Sequence, residues 1–65
     1  MQNTLSDLRT ERGWTQRRLA EQLGVSRQTV ISLERGRFDP SLSLAFRIAA
    51  LFGTRIEDIF NPNGR

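Results

Sequence analysis

The 65-residue sequence contains no cysteine, no histidine and no lysine. Without cysteine the chain can form neither a disulfide nor a thiolate metal site, and without histidine it lacks the usual imidazole base or ligand. We therefore expect no metal and no cofactor. A chain of this length buries only about 60% of its unfolded surface. Because no disulfide or metal site adds stability, helix packing or self-association has to supply it.

Long apolar runs are also absent. The first 13 residues contain no apolar segment of the kind that directs secretion. The most apolar window, Leu42 to Phe52, is eleven residues long and is interrupted by Arg47, so it is too short to span a bilayer. We expect a single cytoplasmic domain over residues 1–65, with no membrane partner. Because no sensor domain is present, we expect no small-molecule effector.

Residues 15–36 predict two short helices joined by a tight turn at Gly24. Each helix opens with a hydroxyl residue that can accept a hydrogen bond from a first-turn backbone N–H, Thr15 in the first helix and Ser26 in the second. An apolar residue before each cap is paired with one at the fourth helical position, which is the hydrophobic-staple pattern. The two pairs are Trp14 with Leu19 and Val25 with Val30.

Apolar spacing predicts which faces of these two helices turn inward. The inward positions are Leu19, Ala20, Leu23, Val30 and Leu33. The outward face of the second helix then carries Arg27, Gln28, Ile31, Ser32 and Arg35. Arginine can fork onto guanine O6 and N7, and glutamine onto adenine N6 and N7, so this face has the chemistry that base edges require in a major groove.

Positive charge is concentrated in the same part of the chain. Residues 9–37 contain seven arginines and three glutamates, whereas residues 38–65 contain three arginines and three carboxylates. A basic surface beside an outward polar helix face is expected of a protein that follows phosphates. On composition alone, a basic face that is simply solvated remains the alternative.

The run over residues 15–36, T-Q-x-x-L-A-x-x-L-G-V-S-x-x-T-V-x-x-L-E-x-G, resembles the helix-turn-helix of the Xre and Cro type. The likeness continues through P-S-L-x-L-A-x-x-I-A-x-x-F-G-x-x-I-E-D-I-F over residues 40–60. This resemblance implies an all-α, five-helix, λ-repressor-like domain with its helix-turn-helix at about residues 15–35 and a tail at residues 61–65. It also implies a small transcriptional regulator, a repressor, that binds double-stranded DNA through the major groove.

Arg27 and Gln28 lie in the first turn of the predicted recognition helix, with Ser32 one turn further on, and we predict that these three read base edges. The predicted phosphate-binding residues are Gln16, Arg17, Thr29, Arg35 and Arg37. By the resemblance, Gln16 donates to a phosphate and braces Gln28. The alternatives are that Thr29 only extends the helix start and that Arg17 is solvated.

The remaining elements follow from caps and spacing. We predict a first helix from Asn3 or Thr4 to Arg12 and a fourth from a Ser41 cap to Phe52. The core stripe of the fourth helix is predicted to be Leu42, Ala45, Ile48, Ala49 and Phe52. A short fifth helix is expected over residues 56–60, with Thr54 and Glu57 as reciprocal caps. Phe38 is expected to anchor the loop before the fourth helix in the core.

Arg9 and Glu34 stand where the resembled family has a partly buried ion pair between its first and third helices. We therefore expect the two side chains to pair, so that truncating either one alone leaves an uncompensated charge. The alternative is an exposed Glu34 that pairs locally on its own helix.

The C-terminal half has more apolar residues than a five-helix monomer would be expected to cover. The predicted dimer interface is Leu44, Leu51, Ile59 and Phe60. A homodimer would present two recognition helices about 34–36 Å apart, which matches an inverted-repeat, pseudo-palindromic operator. The alternative is that Ile59 and Phe60 are ordinary core residues of the monomer.

We do not expect an enzyme, because the carboxylates stand beside arginines and no glycine-rich phosphate loop precedes a helix. The competing function class is a helical protein-interaction module, such as an antitoxin-like protein that binds a partner. That class predicts weak DNA affinity without sequence preference.

Overall fold

The computed structural model describes residues 1–37 and 39–61. Within these residues a short strand, five helices and a second short strand follow in order. The elements are β1 (Gln2–Asn3), α1 (Leu5–Glu11), α2 (Gln16–Leu23), α3 (Arg27–Glu34), α4 (Leu42–Phe52), α5 (Ile56–Ile59) and β2 (Phe60–Asn61). None of the helices in the described ranges has the length and apolar character needed to cross a membrane. The predicted Phe38 anchor lies outside the described residues.

Three helices begin at the hydroxyl caps that the sequence predicts. Thr15 Oγ1 accepts from the backbone N–H of Arg18 at 3.0 Å, and Ser26 Oγ accepts from that of Thr29 at 3.1 Å. Ser41 caps α4 in the same way through the N–H of its third helical residue. Each such cap stabilises its helix by about 1 kcal/mol. At its other end α2 stops at Gly24, whose φ of 71° places it in the left-handed region that favours glycine.

Gln2 and Asn3 form a strand, so the predicted start of the first helix at Asn3 is wrong; α1 begins at Leu5, and Thr4, the other predicted start, occupies its cap position. β1 pairs antiparallel with β2, with Gln2 opposite Asn61 and Asn3 opposite Phe60. The Asn3 side chain explains the difference. Its Oδ1 accepts from the backbone N–H of Leu5 at 3.1 Å, so a residue that lies outside the helix provides the hydrogen-bond acceptor for the first helical N–H. The fold is therefore mostly helical with a small two-stranded sheet, and Asn61 belongs to that sheet instead of a frayed tail.

The predicted capping of the fifth helix by Thr54 and Glu57 is also wrong. Arg55 occupies the cap position in an extended conformation and makes no side-chain cap. Its guanidinium instead donates to Glu57 Oε2 at 2.7 Å. Thr54 lies one residue too early to reach the first-turn N–H groups, and its hydroxyl donates to Asp58 at 3.5 Å.

The core joins all five helices and β2. Its buried apolar residues are Leu5, Leu19, Ala20, Leu23, Val30, Leu33, Leu44, Ala45, Ile48, Ala49, Ile59 and Phe60. The inward positions predicted for α2 and α3 are all among them.

Three of the four predicted dimer residues lie in this core. Leu44, Ile59 and Phe60 are only 6%, 2% and 5% exposed, so the prediction that they form an exposed interface is wrong. Leu51 is half-buried and packs against the same core. The buried arc of α4 takes in Leu44, one turn before Ile48, instead of Leu42. Pairing of β2 with β1 holds the segment that contains Phe60 against the body of the protein.

Trp14 lies at the edge of the core beside the helix-turn-helix. Its ring centroid is 5.9 Å from that of Phe52, with the planes tilted by 46°. The guanidinium of Arg12 lies 5.2 Å from the Trp14 centroid and 4.9 Å from the Phe52 centroid. Trp14 is thus half-buried under a cation and packs against α4.

Candidate nucleic-acid interface

The outward face of α3 is presented to solvent by two residues that anchor its other side. Val30 and Leu33 are 0% and 1% exposed and hold α3 against α2. Arg27 and Gln28 are consequently exposed in the first turn. Ser32, one turn further on, is half-buried. The structure therefore brings the three predicted base-reading residues onto the outward part of one helix.

Thr29 takes part in the start of α3. Its backbone N–H donates to Ser26 Oγ, and the two hydroxyl oxygens lie 2.9 Å apart. Thr29 is also half-buried. The structure thus gives Thr29 the helix-starting role that the sequence left open, and a phosphate contact remains a separate prediction.

A charged network ties α3 to the beginning of the chain. Arg9 Nε lies 2.6 Å from Glu34 Oε2, and Arg9 Nη2 donates to Oε1 at 3.3 Å. The remaining Arg9 amino group donates to the carbonyl of Trp14 at 2.8 Å. The two charged side chains are 14% and 7% exposed, so water screens them little. This pair links α1, the residue before the α2 cap and the last turn of α3.

Gln16 belongs to this network, which the sequence did not indicate. Its Nε2 donates to Glu34 Oε1 at 3.1 Å. Within residues 1–37 and 39–61 it makes no hydrogen bond to Gln28, so the predicted bracing is absent. A carboxylate is a stronger acceptor than a neutral amide, and it holds the Gln16 amide in place. The second amide hydrogen still leaves Gln16 able to donate to a phosphate.

The loop after α3 is held by the N-terminal segment. Asn3 Nδ2 donates to the carbonyl of Leu33 at 2.7 Å, and the Met1 amino group donates to that of Gly36 at 2.9 Å. Gly36 has a φ of 69°, and a Cβ there would lie 2.8 Å from the Met1 carbonyl oxygen. The backbone N–H of Arg37 donates to the carbonyl of Ser32 at 3.0 Å. These contacts fix the backbone that carries Arg35 and Arg37. No local sequence pattern signals the two that come from Met1 and Asn3.

Arg47 on α4 holds the turn of the helix-turn-helix. Its guanidinium donates to the carbonyl of Leu23 at 2.8 Å, next to Gly24. The last carbonyls of a helix lack intrahelical partners, and a basic side chain there also interacts favourably with the helix dipole. The sequence analysis missed this role because Arg47 is far in sequence from the turn at Gly24 and lies within an apolar helix.

Arginines divide into two groups by what their guanidinium groups touch. Four are engaged within the protein, namely Arg9, Arg12, Arg47 and Arg55. Five others are exposed, and their guanidinium groups make no hydrogen bond, ion pair or ring contact with the rest of the described chain. These five are Arg17, Arg18, Arg27, Arg35 and Arg37. Among the residues that the structure describes, the unpaired guanidinium groups therefore lie on α2, α3 and the loop after α3.

Comparison with known proteins identifies the family of this chain. A family model described as helix-turn-helix matches residues 5–59. An uncharacterized HTH-type transcriptional regulator of Methanocaldococcus jannaschii is 57% identical over 60 residues, which is 92% of this chain and 91% of that protein. The uncharacterized HTH-type transcriptional regulator YgzD of Bacillus subtilis is 43% identical over 60 residues, again 92% of this chain and 91% of that protein.

A solved structure has the same fold. The crystal structure of the hypothetical transcription factor NHTF from Neisseria matches with a TM-score of 0.76 and 33% sequence identity, over 85% of this chain and 62% of that one. The family match covers the helices that build the exposed arginine and glutamine face. The chain therefore belongs to the Xre-type helix-turn-helix family of DNA-binding transcriptional regulators.

Proposed function

We propose that the protein is a sequence-specific repressor that inserts α3 into the major groove and binds an inverted-repeat operator as two copies. The observation that supports this most directly is the division of the arginines. Five exposed guanidinium groups that contact no partner among the described residues lie on α2, on α3 and in the loop after α3, whereas the other described arginines are engaged elsewhere. A merely solvated basic surface gives no reason for this separation, but a surface that meets phosphates does.

Base reading falls to Arg27, Gln28 and Ser32. Arg27 and Gln28 are exposed at the N-terminal end of α3, which is the end that approaches base edges when a recognition helix enters the groove. Arg27 suits guanine and Gln28 suits adenine, and the Ser32 hydroxyl can donate to or accept from either kind of edge. The fixed anchors Val30 and Leu33 keep these side chains on the outer side.

Phosphate contacts come from the residues around that helix. Arg35 and Arg37 lie in the backbone-fixed turn after α3, and Arg17 lies in the first turn of α2. Gln16 and Thr29 have a polar group near a helix N-terminus, where unpaired N–H groups and the helix dipole favour an anion. These contacts position the protein on the duplex and carry no sequence information.

Two copies fit the dimensions of an operator. Recognition helices on a two-fold operator lie about 34 Å apart, so each must lie about 17 Å from the axis. The protein measures 28 × 22 × 21 Å, so an axis at its surface meets this requirement. Repression needs only occupancy of the DNA, whereas activation also needs a surface that contacts the polymerase. A promoter–reporter assay with and without the protein tests the direction of regulation.

Selection from a random DNA pool at a stated salt concentration tests the DNA-binding proposal. We expect one preferred, two-fold symmetric site, with affinity falling about 10³- to 10⁵-fold between 50 and 200 mM salt if six to ten phosphates are neutralised. Weak affinity with no sequence preference would reject the proposal and favour a protein-interaction module.

Two substitutions then separate base reading from phosphate binding. Gln28→Ala is expected to cost about 1 to 3 kcal/mol and to relax preference at one base pair per half-site. Arg37→Ala is expected to weaken all sequences alike and to reduce the salt slope by about 1. The matched controls are Gln22→Ala, an exposed glutamine on α2, and Arg55→Ala, an exposed arginine already paired with Glu57. Equal effects of Gln28→Ala on the selected site and on random DNA would contradict the assignment.

A further inference from the structure

The outward face of α3 carries one apolar side chain, that of Ile31. Ile31 lies three residues after Gln28 and four residues before Arg35, so these side chains are neighbours on one side of the helix. The same face carries Arg27 and Ser32, which are also polar. Ile31 itself is half-buried. An isoleucine among side chains that all form hydrogen bonds is the feature that the proposed base-reading set does not use.

Packing against the core does not account for Ile31. Within residues 1–37 and 39–61, Ile31 is not among the half-buried apolar residues that pack against the core. Val30 and Leu33 already hold α3 against α2 from its other side. The half-buried residues that do pack against the core are Met1, Leu8, Trp14, Val25, Leu51, Phe52 and Ile56. The core of the domain therefore does not require an apolar residue at position 31.

We infer that Ile31 is a specificity-determining residue that contacts the C5-methyl group of a thymine in the major groove. The inference rests on the proposed function, in which α3 lies in that groove, and it adds a residue to the proposed base-reading set. Thymine presents a methyl group in the major groove, and apolar side chains recognise it by van der Waals contact. Ile31 provides an aliphatic surface on the side of α3 that faces the bases in the proposed complex.

An apolar side chain at this position also disfavours the other bases. Guanine presents acceptors in the major groove, cytosine presents a donor, and adenine presents one of each. Isoleucine can form no hydrogen bond with these groups, and a polar group that loses water without gaining a partner costs free energy. Ile31 therefore favours thymine in two ways, by contact with its methyl group and by the penalty against a polar base edge at the same place.

The place of Ile31 on α3 predicts where the thymine lies in the operator. Side chains three residues apart on a helix have Cβ atoms about 5 to 6 Å apart, and successive bases of one strand are about 3.4 Å apart. The thymine should therefore lie within about two base pairs of the pair that Gln28 contacts, in each half-site. The Gln28→Ala variant identifies that reference pair independently of Ile31.

The size of a methyl group sets the expected magnitude. Burial of one methylene-sized apolar group corresponds to about 0.8 kcal/mol, which changes affinity about 4-fold. An inverted repeat contains the thymine in both half-sites, so loss of both methyl groups should weaken binding about 10- to 20-fold.

The test removes the methyl group from the DNA and the side chain from the protein. Deoxyuridine replaces the thymine in both half-sites of the selected operator, which removes the methyl group and keeps the O4 acceptor. A duplex with deoxyuridine at a thymine outside the two-base-pair window controls for changes in the DNA itself. The protein variant is Ile31→Ala, and its control is Ile56→Ala, at a half-buried isoleucine that packs against the core. Circular dichroism melting establishes that each variant is folded.

We expect the unmodified protein and Ile56→Ala to bind the thymine duplex about 10- to 20-fold more tightly than the deoxyuridine duplex. Ile31→Ala should bind the two duplexes equally. It should also melt close to the unmodified protein, whereas Ile56→Ala should melt at a lower temperature because it loses core packing.

The comparison of the two duplexes with the unmodified protein does not depend on the folding of any variant. The inference is overturned if the selected operator has no thymine within the two-base-pair window, or if the unmodified protein binds both duplexes equally. It is also overturned if Ile31→Ala keeps the preference for thymine. Failure of the proposed function has a different signature, namely that selection yields no preferred DNA sequence at all.

Discussion

Removing the Glu34 carboxylate tests how the recognition helix is attached to the rest of the domain. In Glu34→Ala, Arg9 loses two hydrogen bonds, at 2.6 and 3.3 Å, and keeps only the Trp14 carbonyl as a partner. Gln16 loses its acceptor at the same time. The Arg9 side chain is 14% exposed, so its charge would remain largely withdrawn from water without a counterion.

Breaking a buried ion pair on one side costs about 3 to 5 kcal/mol. We take the lower end, about 3 kcal/mol, because some solvent reaches both side chains. A domain of this length has a total free energy of unfolding of about 3 to 10 kcal/mol. Each kcal/mol shifts the melting temperature of such a domain by about 4 to 8 °C, so the expected decrease is about 12 to 24 °C.

Thermal unfolding followed by circular dichroism measures the effect, and the protein contains its own control. Arg55 and Glu57 form a pair of the same chemistry at 2.7 Å, but their side chains are 73% and 65% exposed. Glu57→Ala should therefore change the melting temperature little, because solvent screens an exposed pair. The double variant Arg9→Ala/Glu34→Ala should cost less than the sum of the single variants. A Glu34→Ala protein that melts within about 2 °C of the unmodified one would refute the reasoning.

Two further predictions concern the exposed pair and the loop after α3. The hydrogen bond from Arg55 lowers the pKa of Glu57, so NMR titration should give a midpoint below the usual glutamate value, and Arg55→Gln should raise it. Because the folded-state pKa is lowered, the contribution of Glu57 to stability is present above its unfolded-state pKa and is lost as pH falls through the folded-state value. Gly36→Ala should destabilise the protein more than Gly24→Ala in chemical denaturation: both residues have positive φ, but only at Gly36 would the new Cβ meet backbone, at 2.8 Å. Equal losses would show that the N-terminal segment does not pack against that loop.

Local rules predicted the helices well where caps and apolar spacing coincide. Thr15, Ser26 and Ser41 all cap as expected, because each hydroxyl needs only a backbone N–H three residues ahead. The same reasoning failed at the ends of the chain. There Asn3 and Phe60 form a strand pair across 57 residues of sequence, and no local pattern specifies such a partner.

In the candidate site, too, local patterns were predicted and contacts between distant residues were not. Exposure of Arg27 and Gln28 followed from the apolar residues on the opposite side of α3, which are visible in the sequence. The contact of Gln16 with Glu34 was not predicted, because it depends on how closely the start of α2 approaches the last turn of α3. The burial of three predicted interface residues was missed for a related reason: counting apolar residues cannot show that a sheet of two short strands holds Phe60 in the core.

The chain has arginine and no lysine, and the reason for arginine differs between buried and exposed positions. At Arg9 three nitrogens of one planar group reach two acceptors, the Glu34 carboxylate and the Trp14 carbonyl. A lysine ammonium is a single point charge and could not match that spacing, so this position requires the guanidinium fork. At Arg17 the guanidinium is exposed and unpartnered among the described residues, and any cation would attract a phosphate there. The fold therefore requires arginine at position 9. At position 17 the fold does not require it, and in the proposed DNA complex the choice between arginine and lysine affects only the geometry of the phosphate contact.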